Sequence, residues 1–310
     1  MPRIGVSACV MGDKVRYDGG HKQSTFVTRQ LHAHVIFQPI CPEVGIGLPV
    51  PRPTIHLREM ADGLHLTDSR NGMLDHTEAL QSFFIQQLPK LEKLDGYILA
   101  AKSPSCGMER IKVYDENGQL LHRQGQGLFV QLLHKHFPHL PMEEDGRLND
   151  AGLRESFITR VFVYQEFRDK VMNNPSVHGL VTFHSRHKLL VMAYNPQLYQ
   201  ALGRLVAKAK GAEHTTAEAY LALIMKALSK PTNRRKHTNV LMHMQGYFKR
   251  HLKPADKREL TEQIEHFRLG QLPLMAPITL LKHHLRHFPN DYLAQQSYFS
   301  PYPQELGLRA

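Results

Sequence analysis

The chain predicts an α/β domain with a parallel sheet followed by an all-α helical bundle, and three observations carry that expectation. In the first half, short apolar runs alternate with stretches of helical periodicity, the pattern of parallel strands joined by crossovers. From Val181 onward the strand-like runs stop and the helical period alone continues. The charge divides as well: residues 1–150 hold 16 Lys and Arg against 17 Asp and Glu, a net −1, whereas residues 151–310 hold 23 against 11, a net +12. At 310 residues there is room for two domains, each with its own core.

Taken in order, strands are expected at 4–7, 35–40 and 97–101, short β-type runs that end in Gly- or Pro-punctuated turns. Helices are expected at 23–33 and 78–94. The second sets Leu80, Phe83, Phe84, Leu88 and Leu91 on one side and breaks at Pro89. A last short strand gives way to Glu143-Glu144-Asp145-Gly146, acidic and turn-forming, which places the boundary there and the domains at 1–148 and 149–310. Beyond it, a helix over 150–170 carries Leu153, Phe157, Val161 and Phe162. Thr215 or Thr216 caps a helix that stops before Lys230-Pro231. Pro254 and Asp256 open another, with Leu260, Ile264 and Phe267 on one face and Gly270 at its end. The first domain is therefore expected to be Rossmann-like, its strands all pointing one way.

The three cysteines follow those strands: Cys9 in SACVMG, Cys41 in ICPEVG and Cys106 in SPSCGM. Side chains just beyond the carboxyl ends of parallel strands converge on one crevice, so thiols distant in sequence become neighbours in space. Three thiolates in one crevice point to a metal or cluster site, against the alternative of small buried hydrophobes. An odd number of cysteines excludes a complete disulfide framework. No apolar run reaches the length of a bilayer, and the opening MPRIGVSA lacks the apolar core of a signal peptide. A reducing cytoplasm is the expected compartment.

At these positions the chain resembles the TudS-like thiouracil desulfidases, through SACVMG and VRYDGG within residues 7–20, CPEV at 41–44, GLPVPR at 47–52 and KSPSCG at 102–107. The second half resembles the helical YbgA-like domain, through FHSRHK at 183–188, HTNVLMHMQGYF at 237–248, PITLLKHH at 277–284 and the closing PYPQELGLR. The fusion is similar to the tRNA 4-thiouridine desulfidases of the RudS type. The resemblance implies that Cys9, Cys41 and Cys106 hold a [4Fe-4S] cluster whose fourth iron has no protein ligand and is open to the sulfur of the substrate. It places the family's catalytic glutamate at Glu43, as base for a water that replaces sulfur without net redox change. It also places at Ser103 a serine beside the substrate, able to bond a ring atom and relay a proton.

Plainer roles stand beside these. Glu43 could simply pair with Arg16 or Arg52, and Ser103 could cap its own turn. Arg16, Lys102 and Arg52 are candidates for a ribose phosphate, against simple solvation. In the second half, Arg234, Arg235, Lys236, Lys249 and Arg250 are the candidate nucleic-acid contacts. Tyr247, Phe248 and Phe288 lie beside cations, where a ring can stack on a base or pack in the core. His184/His187 and His283/His287 have chelating spacings but no acidic or thiol partner nearby, so they are read as structural or RNA-facing. The expected substrate is thiolated uridine in tRNA. A scavenger of free thiouracil or thiouridine and a non-enzymatic RNA-binding Fe–S regulator are the alternatives. Three cysteines without a nearby histidine make a zinc hydrolase a poorer fit.

Overall fold

The computed structural model describes residues 1–309, and the chain divides into two compact units, Met1–Asp150 and a second beginning at Ala151. In chain order the strands are β1 (Arg3–Ser7), β2 (Ile36–Ile40), β3 (Ile55–Met60), β4 (Gly63–Asp68), β5 (Gly96–Leu99), β6 (Ile111–Tyr114), β7 (Leu120–Gly125) and β8 (Met142–Glu144). The first unit also carries α1 (Ala8–Met11), α2 (Pro42–Gly45), α3 (Thr77–Leu91) and α4 (Leu128–His136).

One sheet has the order β2-β1-β5-β8, parallel at every pairing, as the alternating pattern implies. Its central strands are buried along nearly their whole length, which is why they read as continuous apolar runs. Gly5 is required on β1, because a Cβ there would run into the fully buried ring of Tyr97 on β5.

A second sheet, β4-β3-β6-β7, joins β3 and β6 in parallel between two antiparallel hairpins. The sequence reading contains no such sheet. Leu57 and Val113 are buried while His56, Arg58, Lys112 and Tyr114 alternate with them, so each strand has only one apolar face and a weak signal.

Other expectations change in detail. The helix expected at 23–33 is a π-helical segment, Phe26–Leu31, where Thr25, Val27 and Thr28 are β-branched and poor α-formers. α3 runs two residues past Pro89 instead of breaking there, because the proline falls in the last turn, where it costs one hydrogen bond near the end of the ladder. The acidic run after β8 is no exposed linker: Glu143, Glu144 and Asp145 are all buried and bonded.

The second unit contains α5 (Ala151–Phe167), α6 (Val177–Tyr194), α7 (Pro196–Val206), α8 (Glu213–Leu228), α9 (Arg234–Tyr247), α10 (Pro254–Arg268), α11 (Met275–His287) and the short α12 (Asp291–Ala294). Ala212, not Thr215 or Thr216, occupies the N-cap of α8, and Thr216 is buried within it. Leu260, Ile264 and Phe267 of α10 are buried as their spacing requires, and Gly270 takes the left-handed conformation after it, at φ +80°. Phe167 of α5 stacks on Tyr220 of α8, ring centroids 5.6 Å apart, and meets Phe183 of α6 edge-on at 5.0 Å.

The chain's last turn locks this bundle. Arg309 is buried, its Nε 2.8 Å from Glu155 Oε1 on α5, and its guanidinium lies over the ring of Tyr298. Tyr298 in turn bonds Nδ1 of buried His237 on α9 at 2.9 Å. No helix among the described residues is long and apolar enough to cross a membrane.

Burial, with Arg309 and Lys236 nearby, pushes His237 down to about 3. An unfolded histidine titrates near ~6.5, so the unfolded chain binds the extra proton first and folded stability falls as pH drops below that value. From pH 7 to pH 5 this one group should cost the helical unit about 2 kcal/mol. Urea unfolding of wild type and His237→Gln at the two pH values checks it. The variant should show a correspondingly shallower pH dependence, and an unchanged slope would assign the acid sensitivity elsewhere.

Candidate active site

Parallel pairing brings the carboxyl ends of β2, β1 and β5 side by side, and each delivers one cysteine. Cys9 lies in α1 immediately after β1, Cys41 stands at the N-cap of α2 immediately after β2, and Cys106 sits in the loop after β5. All three line one cavity of about 900 Å³, together with Glu43, Ser103 and Ser105. The thiols are free, with Cys106 buried and the other two half-buried. Burial pushes the Cys9 thiol up to about 11, helped by Cys41 and opposed by Arg16. Burial also raises Cys41, and raises Cys106 furthest, with Glu43 adding to it against the hydroxyls of Ser105 and Ser7.

The loop that carries Cys106 is held by backbone. The N–H groups of Gly127, Leu128 and Phe129, at the start of α4, donate to the carbonyls of Gly107, Pro104 and Ser105 at 2.8, 3.1 and 3.0 Å. The otherwise unpaired donors of a helix start thus anchor the loop. The crossing is close enough that a Cβ on Gly127 would lie 2.5 Å from the Ser105 carbonyl oxygen. Lys102, at the entrance of the loop, takes the left-handed conformation with φ +66°.

Glu43 is clamped on both oxygens. Its Oε2 accepts from Arg52 Nη2 at 2.6 Å and Nε at 3.2 Å, and its Oε1 accepts from Ser105 Oγ at 2.7 Å and Ser103 Oγ at 3.2 Å. The Arg52 side chain is only 3% exposed and also donates to the carbonyls of Pro49 and Val15. The ion pair weighed for Glu43 is thus present, made with Arg52, and it takes Arg52 out of the set of candidate phosphate ligands. Arg16 lies 3.5 Å from Asp18 instead.

Ser103 does two things, since its Oγ also accepts from the backbone N–H of Cys106 at 3.1 Å. Turn capping and contact with Glu43 are combined in one hydroxyl. Ser105, nearer the cysteine in sequence but given no role by the resemblance, makes the shorter bond to Glu43, and its Oγ lies 3.6 Å from Cys106 Sγ. The two serines at i and i+2 of a tight loop were the available signal. The acidic run was missed as well: Asp145 Oδ1 accepts from Lys22 Nζ and from the N–H of Ala101, both at 2.9 Å, tying the end of β8 to that of β5. Glu144 lines the cavity, its carboxyl raised by burial and by Glu109 and Asp145.

The basic candidates of the helical unit fall into two groups. Arg234 and Arg235 begin α9 while Lys249 and Arg250 lie beyond its other end, about 20 Å away for a helix of this length. Lys236 donates its ammonium to the carbonyl of Tyr194 at 2.7 Å. Phe248 is buried, whereas Tyr247 is partly exposed and stacks on Tyr292. His184 bonds the Tyr220 hydroxyl, and buried His187 bonds Ser297 and faces Glu166, so that pair is structural. Among the described residues no group of three or more His, Cys, Asp or Glu side chains could hold a single metal ion.

Fold and cavity together define a parallel α/β domain with a thiol-lined site, joined to a helical domain. Residues 4–145 match the model of the 2-thiouracil desulfurase family, and residues 188–303 match that of DUF1722, a family of unknown function. The chain is 33% identical over 164 residues to the uncharacterized protein YbgA of Escherichia coli (strain K12), covering 97% of that protein and 52% of this chain. It is also 30% identical to a solved [4Fe-4S]-dependent thiouracil desulfidase, TudS, covering all of that chain and 51% of this one, at a TM-score of 0.40. The chain therefore joins a 2-thiouracil desulfurase domain to a YbgA-like domain, and through the latter it belongs to the family of YbgA.

The clamp on Glu43 predicts its own energetics. Removing one partner of a buried ion pair typically costs about 3–5 kcal/mol, while removing both is far milder. Arg52→Met should lose about 3 kcal/mol of stability in the metal-free protein, and Arg52→Met/Glu43→Gln should recover most of it. Additive losses in urea denaturation of the two single variants and the double variant would mean that the pair is not the clamp.

Proposed function

We propose that the chain is an iron–sulfur-dependent desulfidase that converts thiolated uracil, with 4-thiouridine in tRNA as its principal substrate, to uridine and hydrosulfide. The carrying observation is the convergence of Cys9, Cys41 and Cys106 on the cavity in which Glu43 is fixed between Arg52 and two serines. The donor set fits an iron–sulfur cluster: three thiols share one cavity, and burial disfavours their charged form unless a metal supplies positive charge. Cys9, Cys41 and Cys106 would each hold one iron of a [4Fe-4S] cluster. When bound, such a cluster supplies a Lewis-acidic iron with affinity for sulfur.

The protein's own groups supply the rest. Arg52 fixes Oε2 of Glu43 and leaves Oε1 turned to the serine hydroxyls. Oε1 takes the proton of the attacking water, directly or through the Ser103 hydroxyl, and returns it to the leaving sulfur or the ring. The oxygen of water ends on carbon and sulfur leaves as hydrosulfide, so no external oxidant or reductant is consumed. An iron–sulfur regulator has no use for a clamped carboxylate beside its thiols, which favours the enzyme.

RNA as the substrate form is supported by the charge split, since a neutral free base gives no reason for a second half at +12. Arg234, Arg235, Lys249 and Arg250, all exposed, are the phosphate contacts in this reading, with Lys236 contributing only what its bond to Tyr194 leaves free.

Glu43→Gln should retain the cluster absorbance of anaerobically purified protein and lose roughly two to four orders of magnitude in turnover, the loss of a general base. Serine at any of the three cysteines should abolish absorbance and activity together. Sulfide release at the wild-type rate from Glu43→Gln would refute the base, and full iron content in Cys106→Ser would remove that ligand.

A further inference from the structure

The cavity has a second wall that the desulfidase reading, on which this inference rests, leaves unused. It is built by the second sheet. β3 and β6 run parallel with Leu57 beside Val113, both buried, so the alternating residues His56 and Tyr114 emerge on the opposite face and line the cavity. Their rings stack, with centroids 4.3 Å apart and planes 11° from parallel. Lys112 on β6 and Arg123 on β7 line the same cavity and are exposed. Neither makes an ion pair among the described residues.

Charge is concentrated here against the trend of the domain. The first half is net −1, yet the cavity is lined by eight of its 16 Lys and Arg and by only three of its 17 acidic residues. Arg52 and Arg147 are spent on Glu43 and on Glu143 and Glu109. Lys112 and Arg123 are not spent. A neutral thiouracil ring has no charge for them to meet, whereas a nucleotide strand brings one phosphate per residue. Burial, with Arg58 and Lys112, pushes His56 below the usual histidine range, so its ring stays uncharged near neutrality. Flat rings flanked by free cations are the combination that binds single-stranded nucleic acid.

We propose that His56, Tyr114, Lys112 and Arg123 form a strand-binding subsite of the catalytic domain itself. The ring pair stacks the nucleobase next to the target thiouridine, and the two cations hold an adjoining phosphate. The domain thereby prefers a thiouridine within an RNA strand to a free base, before any contribution from the helical unit.

The test compares kcat/KM of the full-length, cluster-loaded protein on free thiouracil and on an RNA trinucleotide with central 4-thiouridine, across a salt series. In Lys112→Glu/Arg123→Glu, substitutions on an exposed surface, the ratio of trinucleotide to free-base kcat/KM should fall about ten- to hundredfold. Its salt slope should shrink by about 0.7 for each phosphate that is no longer neutralised. Tyr114→Leu should lower the same ratio about tenfold, the loss of one stacked base. An unchanged ratio in the charge-reversed protein overturns the subsite. A second readout needs no turnover: a trinucleotide with 5-iodouridine beside the central uridine should, on irradiation, crosslink to a peptide containing His56 or Tyr114. Crosslinks confined to other peptides overturn the subsite. Failure of the wild type to release sulfide from either substrate would overturn the desulfidase reading alone, and the crosslink would still decide the subsite.

Discussion

Everything at the site depends on the parallel pairing of β2, β1 and β5. That pairing forces three strand ends to the same edge of one sheet, and it is the only reason why residues 9, 41 and 106 share a cavity. Close fit holds the register, since a slip of one residue would bring a larger side chain to the place where Gly5 admits the Tyr97 ring. Gly5 and Tyr97 tighten the same contact from the two sides. The site therefore inherits its precision from hydrophobic packing, while the loops supply only chemistry.

Polar groups in and beside the cavity are tied together more densely than a solvated cleft requires. Glu43 is bonded on both oxygens, Ser103 bonds both backbone and carboxylate, and Asp145 accepts from a lysine and a backbone amide. Such saturation fixes each group in one orientation and leaves little reorganisation for the moment of reaction. The thiols stand apart from this pattern. Their burial works against the thiolate form, so they are arranged for a partner that carries positive charge.

The helical unit solves a different problem. Its centre is aromatic and apolar, and three of its buried polar side chains are paired across the bundle: Arg309 with Glu155, His237 with Tyr298, His187 with Ser297. Cations are left mostly at the surface, at the two ends of α9 and elsewhere, where long-range attraction for a polyanion costs the core nothing.

Much of this was legible in the residues alone. The apolar runs before each cysteine, the 3.6-residue period after residue 181 and the charge split determined a parallel α/β domain and a basic helical one, because burial and periodicity are local properties of a strand or helix. The three thiols could be placed in one crevice for the same reason. Only the tertiary structure decided what surrounds them. That Arg52 closes on Glu43 rather than facing solvent, that Ser105 outranks Ser103 in contact with it, and that Asp145 ties Lys22 and Ala101 to the end of β8 rather than linking domains are contacts across nine to over one hundred residues of chain. The second sheet, with its single apolar face, gave too weak a pattern to be seen. Its stacked His56 and Tyr114 lie 58 residues apart and meet only because β3 and β6 happen to pair. Pairing of distant strands is set by the packing of the whole domain, and no local run of residues encodes it.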